Sequence, residues 1–205
     1  MERRMTPRMV PFTGYLAAAL LMFLAPAAGE VTLLPTGTFE IVPGESSATF
    51  AVPDNRGGFS GRTTRVTGSI AIAPPKEGAE YSARIDAAID TASLTTGNET
   101  RDASMRSEYL RTGEFPRVTF HGTAEARPGL GIRPFPAAVR GQLTIRGVTR
   151  DVEFPATAVA LAEEYRADGT ATVRMADFGI PYPRAFIFVA RDPVAVTLHI
   201  RARRP

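Results

Sequence analysis

The 205-residue chain is 44% hydrophobic and 22% charged, carries a formal net charge of +3, and contains neither Cys nor Trp. These values fit an ordinary globular domain able to bury its own core and argue against disorder, collagen-like repeats and a disulfide scaffold. The missing cysteines exclude thiolate nucleophiles, iron-sulfur clusters and cysteine-based zinc sites.

The chain opens with a segment that reads as an export signal. Arg3, Arg4 and Arg8 form a positive start, Tyr15 to Leu24 an apolar run, and Ala25-Pro26-Ala27 a small-residue cleavage site. The run is far shorter than the roughly twenty residues that a membrane-spanning helix needs. Residues 1–27 are therefore expected to be cleaved, with Ala28 or Gly29 as neighbouring alternatives, from a single domain over 28–205 in the periplasm or outside the cell. An uncleaved N-terminal anchor is the alternative. Three Arg and one Glu leave with the signal, and most of the net positive charge goes with them. The remainder forms no concentrated cationic face, which excludes electrostatic nucleic-acid binding.

From Thr36 onward the dominant pattern is alternation with a period of two, broken by Gly, Pro and Asn clusters. Short strands are expected at Phe39 to Val42 and Ala48 to Val52. Val66, Ile70 and Ile72 then alternate with Thr67 and Ser69, and in Tyr81 to Ile89 the odd positions are all apolar. Val118 and Phe120, Val139, Leu143 and Ile145, and Val152, Phe154 and Ala156 continue the series. It ends with Ala171, Val173 and Met175, and with Val194, Val196, Leu198 and Ile200. Consecutive antiparallel strands with one apolar face close naturally into an all-β barrel of about eight strands, which also removes exposed edges; a two-sheet sandwich is the alternative. Between Thr95 and Pro116 the alternation fails. Asn98, Thr100 or Asp102 offers a helix cap, Met105 and Tyr109 lie four apart, and Gly113 and Pro116 are stop signals, so a short helical insertion is expected around residues 100–111.

Candidate chemistry is sparse. His121 and His199 fall on the polar parity of their strands, without H-x-x-x-H or H-E-x-x-H spacing or a G-x-S-x-G elbow, so no metal and no catalytic residue is assigned. Asp86, Asp90, Glu163 and Glu164 read as solvent-facing charge. Gly57, Gly58 and Gly61 lack the Lys-Ser/Thr of a phosphate loop and read as a hairpin connection. Arg201, Arg203 and Arg204 read as a solvated chain end. Arg101, Asp102 and Arg106 open the helical insertion; either they form a structural cap and ion pair, or one guanidinium meets an anionic head group. Phe50, Phe120 and Phe154 share the apolar parity of their strands with Ile70, Ile72, Leu143 and Ile145 and so point inward. Gly68, Ala83, Ala87, Gly122, Gly141, Ala156 and Ala158 are small inward residues, expected to leave space within the barrel. An eight-stranded barrel either fills itself with such side chains or holds one small ligand.

Two long segments carry a family resemblance. They are IDAAIDTASLTTGNETRDASMRSEYLRTGEFPRVTFHGTA (Ile85 to Ala124) and VRGQLTIRGVTRDVEF (Val139 to Phe154). Their acidic-Ser-Leu-Thr stretch, Arg-Asp pair, Phe-Pro-x-Val-Thr-Phe strand and Gly-x-Leu-Thr-Ile-x-Gly-Val-Thr-Arg turn resemble the YceI family of lipid- and polyisoprenoid-binding proteins. The resemblance implies an extended lipocalin-like antiparallel barrel. It also implies an exported protein that sequesters or carries a long-chain amphiphile: a polyisoprenoid, an isoprenoid quinone or a fatty-acid derivative. Phe50, Ile70, Ile72, Tyr109, Phe120, Leu143, Ile145 and Phe154 would hold the tail, with Arg101 and Arg106 near the head group and no cofactor. A homodimer is compatible with this. Two departures stand near the expected entrance: Pro53-Asp54-Asn55-Arg56 where many relatives carry a histidine, and Tyr109-Leu110-Arg111 where Phe-Leu-Asp is usual. An enzyme using Arg101, Asp102 or His121 in the same cavity, and a ligand-free interaction or stress-response module, are the competing functions.

Overall fold

Each alternating segment becomes a strand because one of its faces is apolar and must be covered, while its backbone must find a ladder partner. The computed structural model describes residues 33–75, 80–127, 134–185 and 187–205; the expected signal segment lies outside them. The strands are β1 (Gly37–Ile41), β2 (Ser47–Val52), β3 (Phe59–Thr63), β4 (Val66–Ile72), β5 (Tyr81–Asp90), β6 (Arg117–Ala126), β7 (Phe135–Ile145), β8 (Val148–Ala160) and β9 (Glu164–Val173). A short hairpin follows, β10 (Arg184–Ala185) and β11 (Phe188–Val189), and β12 (Val194–Arg203) ends the fold. The order β1-β4-β5-β6-β7-β8-β9-β12 returns to β1 through Glu40 opposite Arg203 and Ile41 opposite Ala202, which closes an eight-stranded antiparallel barrel.

The closing seam is bent. β1 and β2 lie along the same edge of β12 and are separated by a corner at residues 42–46. Ser46, fully buried, carries the ladder across that corner: its hydroxyl donates to the Arg201 carbonyl (3.1 Å) and accepts from the Arg201 N–H (3.0 Å). On the outer surface Glu45 and Glu164 bind the guanidiniums of Arg201 and Arg203, and Glu163 binds Arg204. The terminal arginines are thus the paired outer face of β12 rather than a loose chain end. Arg201 and Arg203 hold the Glu45 carboxyl below the ordinary range, and Arg166 together with Arg203 does the same for Glu164.

The two ends of the barrel differ. At one end Phe39, Ile72, Tyr81, Phe135, Tyr165 and Ala202 pack into a core without a lumen. Phe39 meets Tyr165 edge to face at 4.8 Å between ring centroids. The other end carries the connections: the β2–β3 loop, helix α1 (Glu99–Ser104), the tight β7–β8 hairpin and the excursion between β9 and β12. That hairpin turns on Arg146 and Gly147, both at positive φ (51° and 73°), the conformation of a two-residue type I′ turn.

Between these ends the wall is lined by aromatic rings that reach over glycines. A Cβ built on Gly122 would lie 2.5 Å from Cζ of Phe120, and one on Gly61 would lie 2.3 Å from Cζ of Phe50. Phe154 covers Gly169 more loosely, at 3.2 Å. Gly122 and Gly141 were expected to leave open volume; instead the Phe120 ring occupies it. Ring atoms that occupy the space beside glycines leave that much more of the middle open.

This geometry ranks two substitutions. A Cβ at position 141 would meet backbone, at 2.4 Å from the His121 carbonyl oxygen and 2.5 Å from Gly122 Cα, whereas a Cβ at 169 meets only side chains. Gly141→Ala is expected to destabilise by about 1–3 kcal/mol and Gly169→Ala by less than about 1 kcal/mol, read from urea unfolding midpoints at unchanged m. Equal losses would contradict the assignment.

Candidate ligand-binding site

The lumen above the packed end is a cavity of about 790 Å³. Its floor is formed by Ile41, Val66, Ile70 and Ile200 and its wall by Phe50, Ile85, Phe120, Leu143, Ile145, Phe154 and Val196, with no titratable side chain among these. Charged residues line it at the open end, in the β2–β3 loop (Asp54, Arg56), in α1 (Arg101) and at the start of β10 (Arg184), and on the wall at Asp168, whose side chain turns outward to His199. An apolar interior under a polar rim suits an amphiphile held tail inward.

The helical insertion reaches the mouth because β3 draws it there. Arg62 and Thr95 exchange backbone hydrogen bonds (2.8 and 3.0 Å), and the hydroxyls of Thr63 and Ser93 lie 2.6 Å apart. Asn98 caps α1 by accepting from the Arg101 N–H at 2.9 Å. Asp102 has a different task. It is 5% exposed and accepts from the Thr95 hydroxyl (2.6 Å), the Thr96 N–H (2.8 Å) and the Thr96 hydroxyl (2.6 Å), which fastens the helix to the strand-bound loop. Burial by itself raises its pKa, but the three hydrogen bonds and nearby Arg106 outweigh it and hold the carboxyl below its ordinary value. Past Ser104 the helix continues over Met105–Tyr109 with wider π winding, closed by the Leu110 N–H donating to the Met105 carbonyl (2.8 Å). Met105, Tyr109 and Leu110 face the lumen and roof part of it.

Of the residues expected at the site, Phe50, Ile70, Tyr109, Phe120, Leu143, Ile145 and Phe154 line the cavity. Ile72 does not; one inward position beyond Ile70, it lies below the floor in the packed end. Arg101 stands at the mouth, its guanidinium 4.5 Å from the centroid of the Phe59 ring and its Nε donating to the Thr96 hydroxyl at 3.0 Å. Among the described residues its Nη groups meet no hydrogen-bond acceptor. Arg106 is not in the lining; it is spent on structure, donating to the carbonyls of Ala92 (3.2 Å) and Leu94 (3.3 Å).

The sequence placed Pro53-Asp54-Asn55-Arg56 near the entrance but gave their side chains no role. Asp54 accepts from the N–H groups of Arg56 (2.6 Å) and Gly58 (2.8 Å), which hold its carboxyl below the ordinary range. The side chain of Asn55 clasps the β10–β11 hairpin, donating to the Ile187 carbonyl (2.7 Å) and accepting from the Val189 N–H (3.1 Å). Asp-Asn ahead of paired glycines is a turn signal that marks such a loop. His121 and His199 lie outside the barrel, each facing a cross-strand aspartate: Asp86 at 2.7 Å and Asp168 at 2.6 Å. Among the described residues no His, Asp and Glu cluster has the makings of a metal site, and no helix is long and apolar enough to cross a membrane.

Comparison with known proteins agrees with this architecture. The model of the YceI-like domain matches residues 39–202. The chain belongs to the YceI-like family. This YceI-like chain is 30% identical over 179 residues to a UPF0312 protein of Shewanella baltica, covering 82% of this chain and 86% of that one. Among solved structures it is similar to Burkholderia cenocepacia BcnA (TM-score 0.61, 17% identity, 78% of this chain and 98% of that one). It is also similar to a polyisoprenoid-binding domain from Saccharophagus degradans implicated in plant cell wall breakdown (TM-score 0.59, 15% identity, 83% and 100%). At such identities these structures attest the barrel fold of the YceI-like domain.

The role of Asp102 is testable through pH. Its depressed pKa stabilises the fold fully above the ordinary value of 3.8, and that contribution disappears as pH falls through the lower folded value. Asp102→Asn is expected to cost about 1–3 kcal/mol at neutral pH. In urea titrations its deficit against the parent protein shrinks below the ordinary carboxylate pKa; a pH-independent deficit contradicts the role.

Proposed function

We propose that this chain is an exported carrier that holds a long-chain amphiphile, an isoprenoid lipid in the first instance, with its tail in the lumen and its head at the rim. The observation that carries this reading is the enclosed apolar cavity of about 790 Å³ with charge confined to its mouth. Burying about ten methylene equivalents contributes roughly 8 kcal/mol gross. Association costs of several kcal/mol leave useful affinity. The polyisoprenoid-binding description of the Saccharophagus relative supports the same ligand class. No bond need be made or broken: the wall offers no nucleophile, acid or base to a tail lying within it, which favours carriage over catalysis.

At the rim Arg101 is the head-group residue. Phe59 and Thr96 fix its guanidinium, so little side-chain freedom is lost when it binds a phosphate or carboxylate. The basic start, short apolar run and Ala25-Pro26-Ala27 at the N-terminus support export.

The test is to purify the protein from the export compartment without detergent, measure its mass, and identify the extracted lipid by mass spectrometry. A mature start after Ala27 and a bound isoprenoid lipid are expected. Protein that retains residues 1–27, or that is empty and rejects added quinones and polyprenols, overturns the corresponding half of the proposal. Arg101→Gln is expected to weaken a phosphate- or carboxylate-headed isoprenoid about tenfold, the worth of one charge-assisted hydrogen bond, and to leave the matching alcohol unchanged.

A further inference from the structure

The geometry points to the packed end of the barrel as the element that sets how large a tail the lumen accepts, with Phe39 and Ala167 as the capacity-determining positions. This rests on the carrier reading. Phe39 is fully buried on the barrel axis side of β1, one inward position below the floor residue Ile41 and directly opposite Ile70 in the β1–β4 ladder, yet itself outside the lumen lining. Everything below it is fastened. Tyr165, edge-on to Phe39, donates its hydroxyl to the Pro35 carbonyl at 2.6 Å, and the Tyr81 hydroxyl accepts from the Leu34 N–H at 3.0 Å. Two tyrosines from opposite walls therefore strap residues 34–35 across the bottom. The Arg204 guanidinium covers the Phe39 ring at 5.2 Å.

A stopper of this kind makes the lumen blind. A tail enters and leaves only at the rim, and carbon added beyond the volume above the floor finds no apolar surface to cover. Affinity then climbs with tail size while the lumen fills and levels off once it is full. The position of that plateau is a property of the floor, not of Arg101 or the rim. Phe39→Ala removes the ring that backs the floor beside Ile70 and enlarges the lumen by about one isoprene unit. Ala167 lines the lumen low on the wall, opposite Ala158 and Ile200 in the ladders, so Ala167→Leu adds bulk into empty space and lowers capacity without displacing the core.

The experiment measures binding of polyprenyl alcohols, lengthened one isoprene unit at a time, to the parent protein and both variants. The parent is expected to gain several-fold in affinity with each unit up to a plateau. The plateau should move outward by about one unit in Phe39→Ala and inward by about one unit in Ala167→Leu. A folded Phe39→Ala and Ala167→Leu that both level off at the parental length overturn the inference while the carrier reading stands. Should Phe39→Ala fail to fold, Ala167→Leu decides alone. A parent that binds no member of the series removes the carrier reading and this inference with it.

Discussion

A closed barrel of this size keeps an open interior only where its inward side chains are held off the axis, and here that is done by phenylalanine rings resting on glycine. Phe120 lies across Gly122 and Gly141, Phe50 across Gly61 and Phe154 near Gly169. Each ring covers glycine backbone and keeps the wall apolar. A β-carbon beneath Phe120 or Phe50 would lever the ring inward, and a ring of that size in the lumen displaces ligand. The glycines therefore matter for what lies over them.

The same sheet builds two unlike ends. At the floor, apolar side chains meet across the axis, tyrosine hydroxyls bind the backbone of residues 34–35, and Glu45 and Glu164 lace the outer seam to β12. Isolated surface ion pairs are each worth little, about 0–1 kcal/mol; these share two carboxylates among several guanidiniums at the strand that closes the barrel, where a network keeps its geometry. At the mouth the chain spends its polar groups on tying loops together: Asp102 on residues 95–96, Asn55 on the β10–β11 hairpin, and Asp192 on the Met175 N–H and the Tyr182 hydroxyl. The rim is therefore ordered before ligand arrives, and Arg101 stands there with its guanidinium held by Phe59 and Thr96. Order at the rim and closure at the floor together describe a container with one opening.

Much of this was legible in the residues. Alternation identified the long strands and their inward faces, and Asn98 with Gly113 and Pro116 bracketed the helical insertion. What alternation cannot give is depth. Ile70 and Ile72 share one parity, yet one forms the floor of the lumen and the other lies below it, because the period of two fixes a face and says nothing of position along the axis. β3 escaped notice because Phe-Ser-Gly-Arg-Thr has no apolar alternation; it is a strand through its pairing with β2 and the Arg62–Thr95 bridge. Arg101 and Arg106 are alike in sequence, and their separation into rim cation and loop brace depends on carbonyls supplied by residues 92 and 94 once the loop has folded back. The glycines were read as empty volume because a one-dimensional pattern does not show which neighbouring ring lies over them.

The most direct measurement is a crystal structure of the protein purified without detergent. This account predicts elongated density rising from Ile70 and Ile200 to the guanidinium of Arg101, with the rings of Phe50, Phe120 and Phe154 over their glycines. Rings swung into the lumen and filling it, with no ligand density between floor and rim, would contradict it.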